Sequence, residues 1–204
     1  MGKIKVLTAC GLKHEKYLDS CKESVAANSV PHEHLVAIGD SMKGTMMNRL
    51  LKEVDDDDIV CLLDADDLAD PNWLDNAKYL DHYDLIYGDT WNINKDGSGE
   101  RYVSKEFNWE EFQHKNFIPY SGVMLVGWLA KEVPYPNLVH AADWYYWHQL
   151  LQHSVHFGYI DKVFTTRRMW TGYRRSNIPV YRKLRRLYRE YKVKKLIKAI
   201  RTDN

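Results

Sequence analysis

Apolar residues fall along this chain in short runs whose spacing alternates between strand-like and helix-like. Ile4, Val6 and Leu7 mark a first strand over 3–9, and Tyr17, Leu18, Cys21 and Val25 recur at helical spacing after it. Beyond Pro31 a short strand is predicted over 35–38. Gly39 and Gly44 then bracket a loop, and Met46, Met47, Leu50, Leu51 and Val54 give the inner stripe of a second helix. Residues 59–63 are continuously apolar and bounded by acids, the pattern of a central strand buried on both faces. Asp70 followed by Pro71 predicts an N-cap and first-turn proline, opening a helix with Trp73, Leu74, Ala77 and Leu80 inward. A strand over 85–87, a turn at Asn94-Lys95-Asp96-Gly97, a Pro-containing loop leading into a strand over 117–126, and a helix over 141–151 with Trp144, Trp147 and Leu151 on one face complete the order. Strands and helices alternating at this spacing predict an α/β fold with a doubly wound, Rossmann-like sheet flanked by helices. Ligands of such sheets sit at the carboxyl ends of the strands.

The chain has 204 residues, 45% of them apolar, with a formal net charge of +1, which fits a folded domain with a sizeable core. Cys10, Cys21 and Cys61 form no disulfide or metal-binding spacing and read as buried thiols of a reduced compartment. With no signal-peptide pattern and no apolar run long enough to span a bilayer, a cytoplasmic location is predicted. The charge is unevenly spread. From 167 to 201 there are fourteen Lys or Arg against one acid, Glu190, whereas acids dominate 55–96. The expected division is therefore a catalytic-type domain over 1–172 and a basic helical tail over 173–204.

The candidate chemistry lies at Leu62-Leu63-Asp64-Ala65-Asp66-Asp67, where three carboxylates follow a buried strand. Their mutual repulsion needs a counter-charge. Hard carboxylate oxygens suit Mn²⁺ or Mg²⁺, cations that keep positions for water and substrate phosphates. The alternative is that these acids cap the following helix or are merely solvated. The preceding run 55–58 reads as a solvated turn.

Several segments in the same order resemble family 2 glycosyltransferases of the GT-A fold. Val6-Leu7-Thr8-Ala9-Cys10 resembles the family's first nucleotide-contacting strand, and residues 62–71 (LLDADDLADP) resemble its DXD segment. Tyr87-Gly88-Asp89 resembles the strand that follows, and Ala142-Asp143-Trp144 resembles the acidic pair that supplies the catalytic base. The resemblance implies an inverting transfer of a sugar from a nucleotide-diphospho-sugar, UDP-linked in the family, to a hydroxyl of a glycan or lipid-linked acceptor. Thr8, Ala9, Cys10, Lys13, Asp40, Asp64, Ala65 and Asp66 would bind the donor, with Asp66 and Asp64 on the metal. Asp143 would be the general base, and Trp144 or Tyr145 would contact the acceptor. Its position near a helix start predicts an Asp143 that stays ionised and is a weak base. Three positions depart from the family pattern: the acid at Asp40 is displaced, Ala142 replaces the first acid of the pair, and 167–170 lacks the family's metal-binding His. A non-catalytic binding module of the same fold therefore stays open. A nucleotidyltransferase is the other alternative, but Gly11-Leu12-Lys13 is poor in the glycines such an enzyme uses.

In the tail, residues 180, 184, 187, 188 and 191 trace an apolar stripe among arginines and lysines, and the stripe shifts face after Tyr191. That pattern predicts an amphipathic basic helix, either packed on the domain or docked on an anionic membrane surface. No nucleic-acid reading motif is present, and no nucleic-acid partner is expected.

Overall fold

The computed structural model describes residues 2–139 and 141–171. Strands β1 (Ile4–Gly11), β2 (His32–Gly39), β3 (Ile59–Leu62), β4 (Asp67–Ala69), β5 (Leu85–Ile93), β6 (Gly99–Tyr102), β7 (Met124–Val126) and β8 (Phe157–Arg168) form one mixed sheet. Its order is β2-β1-β3-β7-β5-β8-β4, with β6 paired to β5. The pairs β1·β2, β1·β3 and β5·β8 are parallel, whereas β7 runs antiparallel to both β3 and β5. This is a mixed α/β sheet flanked by helices.

Strand alternation divides the core in two. Leu7 and Ala9 of β1, Val60 and Leu62 of β3, and Leu85 and Tyr87 of β5 face one layer. That layer is filled by Met46, Met47 and Leu50 of α2 (Lys43–Leu50) and by Trp144, Trp147 and Leu150 of α5 (Ala142–Leu150). Ile4, Val6, Ile59, Cys61 and Ile86 face the other, against Cys21 and Val25 of the helix Glu15–Ala26 and Trp73, Leu74 and Ala77. The central run at 59–63 is thus buried on both faces, as its continuous apolar character predicts, and all three cysteines are buried and unpaired.

Four details differ from the sequence reading. Asp70 does not cap an α-helix. Its Oδ1 accepts from the Asn72 backbone at 2.9 Å, and the following residues, Leu74–Asp81, wind as a 3₁₀-helix. The reason is tertiary: the Trp73 indole donates to Gly122 O and Asn28 Oδ1 accepts from Leu74 N, tying this segment to two others. The second helix is also interrupted, ending at Leu50 before a 3₁₀ turn at Leu51–Glu53. At 55–58 only the first three acids are solvated. Asp58 is buried, pairs with the buried Lys5 ammonium at 2.9 Å, and accepts from the backbone N–H groups of Lys3 and Asp55. Finally, β5 runs to Ile93 and β8 spans twelve residues, so the second half of the sheet is longer than its apolar runs indicate. Among the described residues no helix is long and apolar enough to cross a membrane. The basic tail from 172 onward, including the 180–201 stripe and the boundary at 172/173, lies outside the described residues.

Candidate active site

The carboxyl ends of β1, β2 and β3 open on one side of the sheet, where the acidic segment turns away from β3. The turn is closed by Asp67 N donating to Asp64 O at 3.0 Å and leads directly into β4. Arg168, at the end of β8, fixes it from the far side: one guanidinium nitrogen donates to Asp66 O at 2.9 Å and the other to Ser20 Oγ at 2.8 Å. Ser121 fixes it from the near side. Its hydroxyl accepts from Asp64 N at 3.1 Å and donates to Asp67 Oδ2 at 2.6 Å. Gly122, at φ +100°, turns the chain so that its N–H can reach Leu62 O, a backbone geometry that favours glycine.

Each of the three carboxylates has its own surroundings. Asp64 meets the Lys43 ammonium at 2.5 Å, and that ammonium also lies 3.1 Å from the centre of the Tyr120 ring. Asp66 lies 3.2 Å from His14 Nδ1, close enough for an ion pair, although the nitrogen makes no aligned hydrogen bond. Asp67 is buried; burial, followed by the neighbouring Asp64 charge, pushes its carboxyl well above the ordinary range against the Ser121 hydrogen bond.

Two cavities meet at Asp64. The first, about 610 Å³, is lined by six of the residues expected at the donor: Ala9, Lys13, Asp40, Asp64, Ala65 and Asp66. Lys43 and His14 line it as well. Thr8 and Cys10, the other two expected contacts, are buried off this cavity. Alternation along β1 turns them away from Ala9, and the Thr8 hydroxyl bonds His34 Nε2 at 2.9 Å. The second cavity, about 320 Å³, is lined by Asp64, Asp67, Thr90, Asn116, Ser121 and Asp143, among others.

Asp143 occupies the first turn of α5 and accepts from Asn116 Nδ2 at 3.0 Å. Burial raises its carboxyl above the ordinary value, outweighing the Trp144 backbone N–H and the Lys43 charge, which pull the other way. The Asp143 carboxyl is thus more basic than a position at a helix start alone predicts, because desolvation exceeds the helix-terminus effect here. Trp144 is a core residue, its indole donating to Phe112 O at 3.0 Å, so it presents no face to an acceptor. Tyr145 is half-buried and lines neither cavity.

Lys43, His14, Asn116, Ser121 and Arg168 were not singled out from the sequence. Only Lys43 carried a local signal, as a cation just after the Gly39–Ser41 loop. Among the described residues, no group of three or more His, Cys, Asp or Glu side chains is arranged to hold a metal. The donor set at the junction is two carboxylates, Asp64 and Asp66. This fits a hard cation that takes its remaining ligands from a diphosphate and water, rather than an all-protein cage.

No protein-family model matches the sequence, and no curated protein matches it. Solved structures do share the fold. Staphylococcus aureus TarS 1–349 in complex with UDP-GlcNAc superposes with a TM-score of 0.67 at 17% identity, over 86% of this chain and 61% of that one. The same protein in complex with UDP gives 0.64 at 16% identity, over 82% and 61%. The chain thus spans about three-fifths of the TarS fragment. At this identity the likeness is one of fold.

Proposed function

We propose that this chain is an inverting, metal-assisted glycosyltransferase that moves a sugar from a nucleotide-diphospho-sugar to an acceptor hydroxyl. The observation that carries the reading is the junction at Asp64, where a cavity lined by Lys13, Lys43 and Asp66 meets one holding the half-buried carboxylate of Asp143. Departing diphosphate and attacking hydroxyl need opposite help, and the two cavities offer it on either side of one point. The fold shared with TarS, whose structures contain UDP-GlcNAc and UDP, favours UDP as the nucleotide.

In this reading Lys13 and Lys43 place positive charge beside the diphosphate, where charge accumulates as the glycosidic bond breaks. Asp64 and Asp66 would hold Mn²⁺ or Mg²⁺, which supplies Lewis acidity to the leaving phosphates. Arg168 and Ser121 keep the loop bearing both carboxylates in place through its backbone. Asp143, raised by burial and oriented by Asn116, takes the proton of the acceptor hydroxyl as the oxygen attacks the anomeric carbon from the face opposite the leaving group. Inversion follows from that single displacement. A glycan or lipid-linked acceptor is the class proposed, and the basic tail would serve a membrane-borne one by binding anionic lipid.

A non-catalytic module is disfavoured by Asp143, whose half-buried carboxyl is raised by desolvation, since a binding site gains nothing from a desolvated base. Incubation with UDP-sugars and Mn²⁺, followed by NMR of the released or transferred sugar, tests the reading. Slow, Asp143-dependent cleavage with inverted configuration is expected, and retained configuration would contradict it.

A further inference from the structure

His14 ends the short turn Leu12–His14 that follows β1, and it lines the nucleotide cavity together with Asp64 and Asp66. Among the described residues it is the one histidine lining either cavity. Its Nδ1 is buried, 3.2 Å from Asp66 Oδ2, and makes no hydrogen bond among the described residues. Buried polar atoms are normally satisfied, and a ring nitrogen this close to a carboxylate would ordinarily donate to it. Here the two are not aligned, so the contact is not a hydrogen bond. The reaction proposed above gives this imidazole nothing to do.

The spacing fits a different relation. Adjacent ligands of an octahedral ion bound at about 2.1 Å lie about 3 Å apart, close to the 3.2 Å between Nδ1 and Oδ2. The fold holds both sides of the pair. Arg168 donates to Asp66 O and to Ser20 Oγ of the helix Glu15–Ala26, which begins at the residue after His14. Cys21 Sγ, on the same helix, donates to Asp64 O at 3.8 Å. The turn bearing His14 and the loop bearing both carboxylates are thus tied to one another, as a preorganised ligand set requires. As the chain stands, Asp64 is engaged by the Lys43 ammonium, and among the described residues no three such side chains are gathered for a metal. Lys43 lines the same cavity, so a diphosphate there would give it another anion and free Asp64.

From these features we infer that His14 is a ligand of the divalent cation, completing with Asp66 and Asp64 a set of one imidazole and two carboxylates, and that this set selects a transition-metal ion such as Mn²⁺ over Mg²⁺. The inference rests on the metal–diphosphate reading above. An imidazole nitrogen is a softer donor than a carboxylate oxygen and suits transition metals, whereas Mg²⁺ takes oxygen ligands and gives up water reluctantly. Three protein ligands leave positions open for phosphate oxygens and water.

Pulsed EPR of the full chain, in excess over Mn²⁺ and with UDP present, tests this without any turnover. The wild type should show the ¹⁴N hyperfine coupling of a directly bound imidazole, and His14→Ala should lack it. By calorimetry in the presence of UDP, His14→Ala should lower Mn²⁺ affinity by at least about tenfold and Mg²⁺ affinity by less than about threefold. His14→Asp, which replaces the imidazole by a carboxylate, should restore binding with the preference moved toward Mg²⁺. Bound Mn²⁺ with no ¹⁴N coupling in the wild type, or with the same coupling in His14→Ala, would overturn the inference and leave the metal reading intact. Equal losses of Mn²⁺ and Mg²⁺ affinity in His14→Ala would also overturn it, showing His14 to be only an ion-pair partner of Asp66. Failure of Mn²⁺ to bind the wild type with UDP would overturn the metal reading, and the inference with it. The wild-type spectrum decides even where a variant does not fold.

Discussion

Replacing Asp143 by Asn keeps the side chain's size and leaves Asn116 a carbonyl oxygen to bond, but removes the group proposed to take the acceptor proton. Proton transfer by a positioned carboxylate contributes about 10²–10⁴ in rate, so kcat should fall by that factor, equivalent to about 2.7–5.5 kcal/mol in the barrier. Donor affinity should change by less than about threefold, because the nucleotide cavity does not include Asp143. The pH profile adds a second reading. Burial holds the Asp143 carboxyl above its ordinary value, so wild-type kcat/KM should rise with pH through a limb lying above about 4, the ordinary aspartate value, and then level off. The Asn variant should lack that limb. Stability moves the opposite way. Because the folded-state pKa is raised, the ionised group opposes folding once pH exceeds the unfolded value, and stability falls as pH rises toward the folded value. At pH 7 Asp143→Asn should therefore melt at the same temperature as wild type or higher, a trade-off expected of a catalytic carboxylate. Progress curves with a UDP-sugar at several pH values, alongside thermal melts, measure all three quantities. Unchanged turnover with donor still bound would refute the base assignment, and a markedly lower melting temperature would show Asp143 to be a structural cap.

Other outcomes follow from the same geometry. Asp58→Ala should cost about 3–5 kcal/mol in urea unfolding at pH 7, since it leaves the buried Lys5 ammonium only the Glu53 carbonyl and leaves two backbone donors unmet. Although burial pushes the Asp58 carboxyl up, the hydrogen bonds from Lys5, Asp55 and Lys3 outweigh it and hold it below the ordinary value. Its contribution is thus present above about pH 4 and lost as pH falls toward the folded value, so the difference from wild type should shrink in acid. Lys43→Ala should tighten Mn²⁺ binding in the absence of nucleotide by about tenfold, measured by calorimetry, because it frees Asp64 from a competing cation; weaker binding would contradict a metal role for Asp64. Cys10, Cys21 and Cys61 should resist a thiol reagent until the protein unfolds. All three are buried, and burial pushes the Cys21 thiol up to about 12. Rapid labelling of the native chain would place these segments outside the core.

Several elements in the first half of the fold could be read from the sequence because they have a local signature. β3 is apolar throughout, β1 alternates cleanly into two cores, and the Asn94–Gly97 turn closes the β5·β6 hairpin with Gly97 at φ +85°. β8 was not legible, because it passes through exposed Asp161 and Lys162 and is held by its parallel partner β5 rather than by its own apolar content. The 3₁₀-helix after Asp70 is likewise set by Asn28 and Gly122, remote residues that no local spacing encodes. At the site, the acidic segment was legible as three like charges after a buried strand. What separates their roles was not: Lys43, His14 and Ser121 reach Asp64, Asp66 and Asp67 across sequence separations that leave no periodic trace. Asp58 shows the same limit, since nothing local distinguishes it from the three solvated acids before it.

The central claim is that Asp64 and Asp66 join a nucleotide diphosphate to the site through a divalent cation. Thermal melts of wild type and Asp66→Ala with UDP and UDP-GlcNAc, each with and without Mn²⁺, test it most directly. Ligand at about 100 times its Kd stabilises the native state by about 2.7 kcal/mol, a readily measured shift. The account predicts a UDP-dependent rise in melting temperature that is larger with Mn²⁺ in the wild type and indifferent to Mn²⁺ in Asp66→Ala. Equal shifts with and without Mn²⁺ in the wild type, or no shift with any nucleotide, would contradict it.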